Sequence, residues 1–152
     1  MVKAIRVYEA GGPEVLKWED VEVGDPGPGE VRIKQNTVGL NYIDVYFRTG
    51  LYPVEFPAII GMEAAGVIDA VGDGVDEFKV GDRVAYPMVP GAYTEMRCMP
   101  TLKVVKLPDA IDDAERVTGE RHEGLFYSLF VFFGKLAASF TNTLVTPRQP
   151  PR

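Results

Sequence analysis

Residues 25–36 read Asp25-Pro26-Gly27-Pro28-Gly29-Glu30-Val31-Arg32-Ile33-Lys34-Gln35-Asn36. Proline presets φ and glycine supplies left-handed φ, so the first five residues are a dense turn signal. From Val31 to Asn36 apolar and polar residues alternate, the mark of a half-buried strand. Upstream, Val2–Glu9 is a β-branched run closed by Ala10-Gly11-Gly12-Pro13, and Val15–Val23 is a second extended stretch. Three extended segments joined by Gly/Pro turns predict a partly closed β barrel.

Downstream, the spacing predicts a short helix over Asn41–Arg48, ended by Gly50. Asn41 is a favoured N-cap type, and Asp44 suits the positive end of the helix dipole. A Pro-rich loop follows, from Tyr52-Pro53 to Phe56-Pro57. Glu63–Val71 reads as a buried strand, Val84–Tyr86 as a strand between turns, and Gly91–Met99 and Leu102–Leu107 as the last strands. The fold class expected is mainly β with short helices.

The 152 residues suit one average domain. The 16 Gly and 12 Pro agree with many turns rather than a helix bundle. A net charge of −6 without a basic stripe would repel a phosphate backbone, which argues against nucleic acid as a partner. Cys98 is the only cysteine, so no internal disulfide forms, and the N-terminus lacks a signal-peptide core. Both features point to a cytoplasmic protein.

From about Glu115 the pattern changes. Gly119 and Gly124 interrupt a helix start at Asp112, residues 125–145 are apolar and aromatic around Lys135, and the chain ends in a Pro/Arg segment. A membrane span needs about 20 apolar residues, but Lys135 and several Ser, Thr and Asn residues dilute this one, so a membrane is disfavoured. A docked amphipathic helix is a second reading. Truncated or non-native sequence, from a frameshift, misread splice or premature end, is the third and best supported. The domain expectation is therefore residues 1–114 as the folded part and 115–152 as a divergent tail.

Motifs for other chemistries are missing. A zinc site needs three or four Cys/His-type ligands, and the chain has one cysteine and one histidine, His122. No metal is expected. Cys98 reads as a small packed hydrophobe rather than a nucleophile. Gly61 and Gly66 have P-loop spacing, but Val67-Ile68 replace its Lys-Ser/Thr, and no dinucleotide-binding glycine fingerprint occurs. What remains is the segment 38–53. On a helix from Asn41, Tyr42 and Tyr46 share a face, and the first-turn N–H groups suit a carboxamide or phosphate oxygen. On their own, two tyrosines at this spacing are more often half-buried packing residues than site residues.

The runs GLNYIDVYFRTGLYP (39–53), FPAIIGMEAAGVIDAVGDGV (56–75) and FKVGDRVAY (78–86), with AGGPEVL, GAYTEM and KLPDAID, resemble zeta-crystallin-type quinone oxidoreductases. These belong to the medium-chain dehydrogenase/reductase superfamily, and the likeness covers about residues 1–114. The resemblance implies a GroES-like partly closed β barrel, here with the Rossmann domain absent. It implies NADPH as cofactor and a small-molecule quinone or enone as substrate, with a possible homodimer in the full-length family. Positions matching Asn41, Tyr42, Ile43, Asp44, Val45 and Tyr46 would be cofactor-binding, and Tyr46 and Tyr52 catalytic. Zinc-dependent relatives carry Cys where Asn41 stands and His where Met62 stands, so the resemblance is to the zinc-independent branch.

In that setting the nicotinamide carries the hydride chemistry and the protein supplies orientation. Asn41 offers donors and an acceptor for a carboxamide, ribose or quinone oxygen. The phenols of Tyr46 and Tyr52, with a reference pKa of about 10, would stabilise charge growing on a quinone oxygen. The alternatives are a non-catalytic GroES-like binding module and a membrane-tethered variant using residues 125–145. Without a nucleotide domain, the isolated chain is expected to be an incomplete and inactive enzyme.

Overall fold

The computed structural model describes residues 1–107, one compact unit of two antiparallel sheets and a single short helix. The expected tail boundary at 114/115, His122 and the apolar segment 125–145 lie outside the described residues. Among the described residues no helix is long and apolar enough to cross a membrane, and no group of three potential metal ligands occurs.

The turn at Asp25–Gly29 launches β3, Glu30–Val38. Val31 and Ile33 are fully buried, as the alternation predicts. β3 is the spine of the larger sheet. It pairs with β5 (Ala64–Val71) on one side and β7 (Met96–Pro100) on the other, and β6 (Arg83–Tyr86) and β8 (Val105–Lys106) continue outward from β5. Two irregularities in the β3·β5 register, after Arg32 and after Gln35, bend the strand. Such bulges sharpen local twist and let a sheet curl towards a barrel.

The smaller sheet places β1 (Val2–Val7) between β2 (Lys17–Val21) and β4 (Ala58–Ile59). The stretch expected as one strand from Val15 to Val23 divides into a 3-10 turn, Pro13–Val15, and the shorter β2. Pro13 presets the turn's backbone and has no N–H to contribute to a ladder.

Residues 91–95, expected to belong to a strand, instead stitch the two sheets together. Tyr93 O accepts from Ile5 N at 2.8 Å, Glu95 N donates to Lys3 O at 2.9 Å, and Gln35 N donates to Glu95 O at 2.8 Å. A segment shared between two sheets cannot keep a ladder with one, so β7 begins only at Met96. The result is a partly closed barrel rather than a closed one. The GroES-like, mainly β expectation holds.

The core lies against the larger sheet and joins Val31, Ile33, Ile68, Val84, Tyr86 and Met99. Burying such a side chain fully contributes about 1.5–3 kcal/mol. Tyr86 satisfies its buried hydroxyl by donating to Gln35 Oε1, while the Arg97 guanidinium sits 5.3 Å from its ring centre. Gln35 Nε2 donates in turn to the carbonyls of Ala92 and Thr94. This polar chain braces β3 against the stitching segment. The half-buried Cys98 thiol points to Gly24 O, and burial pushes its pKa up.

Candidate functional site

Helix α1, Tyr42–Arg48, starts one residue after Asn41 and is closed by Thr49 and Gly50, the latter at φ +78°. Seven residues are too few for an isolated helix to persist in water, so its position depends on anchors at its ends. At its C-terminal end Gly11 N donates to Arg48 O at 2.9 Å and Arg48 Nη1 donates to Gly11 O at 3.0 Å.

At its N-terminal end the anchor is a buried polar network. Asn41 N donates to Asp44 Oδ2 at 2.8 Å, and Asn41 Nδ2 donates to Glu63 Oε1 at 2.8 Å. Tyr93 reaches the same Asp44 oxygen with its hydroxyl at 2.9 Å. Asn41, Asp44 and Glu63 are 7%, 2% and 4% exposed. The Asn41 carboxamide oxygen approaches the Asp44 N–H in capping-box fashion. It does not close a well-formed bond, and it and Asp44 Oδ1 are the two buried side-chain oxygens left without a partner among the described residues. Burial pushes the Tyr93 hydroxyl well above its ordinary pKa, reinforced by its bond to Asp44 and by the charges of Asp44 and Glu63. Tyr93 therefore remains a donor at any physiological pH.

Glycine makes room for this arrangement. At Gly39 a Cβ would fall on the Glu63 side chain, and Gly39 N donates to Glu63 O at 3.0 Å. Only a residue without a side chain lets the link from β3 to α1 pass so close to a buried carboxylate.

The expected site residues divide into two groups. Tyr42, Tyr46 and Tyr52 come together in a run of rings. Tyr42 and Tyr46 are edge to face at 5.8 Å, Tyr46 and Tyr52 at 5.4 Å, and Phe47 meets Tyr52 at 5.8 Å. Tyr42 is 78% exposed and Tyr52 43%. No hydroxyl of these three tyrosines hydrogen-bonds within residues 1–107. Asn41 and Asp44 form the second group, with side chains drawn inward to the network, while Ile43 and Val45 are half-buried beside them.

Glu63 and Tyr93 were missed as site residues. A glutamate inside the apolar run from Ala58 to Val71 was the available signal, since a buried acid needs partners. Tyr93 gave no such signal. Apart from the ring run, none of whose residues line it, a groove of about 430 Å³ opens among Ile5, Leu16, Trp18, Val38, Leu40 and Tyr93.

Residues 27–109 match the alcohol dehydrogenase GroES-like domain family. A quinone oxidoreductase of Pseudomonas aeruginosa is 50% identical over 114 residues, covering 74% of this chain and 35% of the relative. Quinone oxidoreductase 1 of Escherichia coli is 40% identical over 113 residues, with 73% and 35% covered. Among solved structures, the quinone oxidoreductase of Pseudomonas syringae pv. Tomato DC3000 superposes with a TM-score of 0.69 at 50% identity, covering 73% of this chain and 35% of that one. The Escherichia coli quinone oxidoreductase complexed with NADPH also gives 0.69, at 40% identity, with 72% and 34% covered. The chain thus spans about a third of the length of these relatives. It belongs to the alcohol dehydrogenase GroES-like domain family, on the quinone oxidoreductase side of the medium-chain dehydrogenase/reductase superfamily.

Proposed function

We propose that residues 1–107 form the substrate side of a zinc-independent, NADPH-dependent quinone or enone reductase. The observation carrying this reading is the run Tyr42–Tyr46–Tyr52, with hydroxyls unspent inside the described domain and a helix fixed from beneath by a buried network. The NADPH of the solved Escherichia coli relative supports the cofactor assignment. When bound, its nicotinamide supplies the hydride.

The chain's own residues do the rest. Tyr46 and Tyr52 donate hydrogen bonds to the carbonyl oxygen that gains negative charge, a stabilisation that grows along the reaction. The exposed Tyr42 and the turn Asn41–Val45 flank the place of the nicotinamide. Residues 41 and 44 fit a cofactor role through the backbone they shape, because their side chains are committed to Glu63, Tyr93 and each other. Oxygen-rich and histidine-free, this set suits no zinc. The same reading carries a cytoplasmic location and, for the full-length type, a homodimer.

The isolated chain should be an incomplete enzyme, because it spans about a third of its relatives. Titrating isotope-labelled chain with anthraquinone sulfonate and with NADPH, followed by NMR, tests both parts. Quinone should shift signals of α1 and of Tyr52, whereas NADPH alone should bind no tighter than about 1 mM. Micromolar NADPH affinity would overturn the incompleteness, and a quinone that leaves α1 undisturbed would overturn the site. Quinone contacts confined to the groove by Trp18 and Leu40 would favour a non-catalytic binding module instead.

A further inference from the structure

Tyr93 belongs to neither the ring run nor the expected site, yet it touches three parts of the fold. Its carbonyl accepts from Ile5 N in the smaller sheet, its N–H donates to Ile60 O at 2.9 Å, and its hydroxyl donates to Asp44 Oδ2 in α1. Its ring lies over Gly61, whose φ of +93° and missing Cβ leave that space free. The two ends of α1 are thus held differently. Backbone and guanidinium bonds to Gly11 hold the C-terminal end, and Asp44, through Tyr93, ties the other end to the junction of the sheets. Tyr46 stands between these two anchors.

We propose that Tyr93 is a positioning residue of the site: by donating to Asp44 it sets the tilt of α1 and so the place of the Tyr46 and Tyr52 rings. This rests on the reading of those tyrosines as the substrate-facing groups. Removing the hydroxyl leaves the buried Asp44 side chain with Asn41 N–H as its one remaining partner among the described residues, and frees α1 to turn about its Gly11 anchor. The raised pKa of Tyr93 is consistent, because its hydroxyl stays protonated, and so a donor, at neutral pH.

The test compares Tyr93→Phe with Arg32→Ala, which removes surface ion pairs to Asp25 and Asp69 that involve neither α1 nor Tyr93. Two quantities are read on labelled chain: affinity for anthraquinone sulfonate, and the nuclear Overhauser contacts between the Tyr46 and Tyr52 rings. Tyr93→Phe should weaken the quinone at least about fivefold, the worth of one hydrogen bond, and reduce the ring contacts. Arg32→Ala should leave both unchanged even if it lowers Tm by as much. Wild-type affinity and intact ring contacts in Tyr93→Phe would overturn the proposal, as would equal weakening in both variants. If wild-type chain fails to bind the quinone, the reading of the site falls, and the ring contacts alone decide the positioning role: their loss in Tyr93→Phe supports it and their retention overturns it.

Discussion

Asn41 and Glu63, 22 positions apart, meet through a 2.8 Å hydrogen bond from the Asn41 carboxamide to the Glu63 carboxylate, both side chains more than nine-tenths buried. The Glu63 oxygen accepts here, so this contact orients the amide: nitrogen to Glu63, oxygen towards Asp44. Asn41 stands at the N-cap of the helix and joins the network through its backbone N–H and its amide nitrogen. Its position in the expected cofactor-binding run therefore reflects support from beneath as much as any contact with a ligand.

Replacing Asn41 by Leu should cost about 1–3 kcal/mol of stability, because Glu63 loses a donor within a buried site. Urea denaturation of the two chains measures it. A loss below about 0.5 kcal/mol, the range of ordinary surface substitutions, would mean that Glu63 readily finds another donor or water.

Substituting Gly61 by Ala meets two obstacles at once, a φ of +93° and the Tyr93 ring, with Tyr93 N only 2.9 Å from the new Cβ. The expected destabilisation is about 1–3 kcal/mol or more. Tyr93 should also lose its contact with Asp44. A chain that unfolds at wild-type urea concentration would contradict the close packing of Gly61 on Tyr93.

Changing Tyr46 or Tyr52 to Phe removes hydroxyls that bond nothing within residues 1–107, while the ring contacts stay. Stability should move by no more than about 0.5 kcal/mol. In a full-length reductase carrying this domain, the same changes should lower kcat for quinone about tenfold or more, the scale of one lost transition-state donor. Steady-state kinetics alongside thermal melts separates the two effects.

Alkaline pH should destabilise the domain through its buried phenols. Tyr93 and Tyr86 have folded-state pKa values raised by burial. Protonated tyrosine thus favours the folded chain, and that stability is fully present below the unfolded value of about 10 and lost as pH rises through it towards the folded values. Melting curves between pH 8 and pH 11, values chosen to bracket the reference pKa of about 10, should fall more steeply for wild type than for Tyr93→Phe. Parallel curves would show that Tyr93 is more accessible than its contacts imply.

Local features carried much of the fold into the sequence. The Asp25–Gly29 turn and the Val31–Asn36 alternation located β3, and Asn41 with Gly50 bracketed the helix to within a residue. These signals are legible because they depend on near neighbours: a proline's φ, a glycine's left-handed freedom, a side chain alternating between two faces. The short β4 at Ala58–Ile59 escaped notice, since two residues carry no periodicity and pair only because β1 lies alongside. The strand expected over Gly91–Met99 begins late for a similar reason, its first half being drawn off by hydrogen bonds to the other sheet.

By itself the sequence determined a mainly β domain, a capped helix at Asn41 and a family-like cluster of tyrosines, all readable from local chemistry and motif order. Only the tertiary structure decided what holds that cluster in place. Tyr42 and Tyr46 could be read as neighbours from helical spacing, and Tyr52 was added to them by the family resemblance. The link from Asn41 to Glu63, and from Asp44 to Tyr93, could not, because partners brought together by sheet topology leave no periodic trace along the chain. The physical reason lies in burial: a carboxylate removed from water must find donors wherever the fold supplies them, and those donors come from strands and loops distant in sequence.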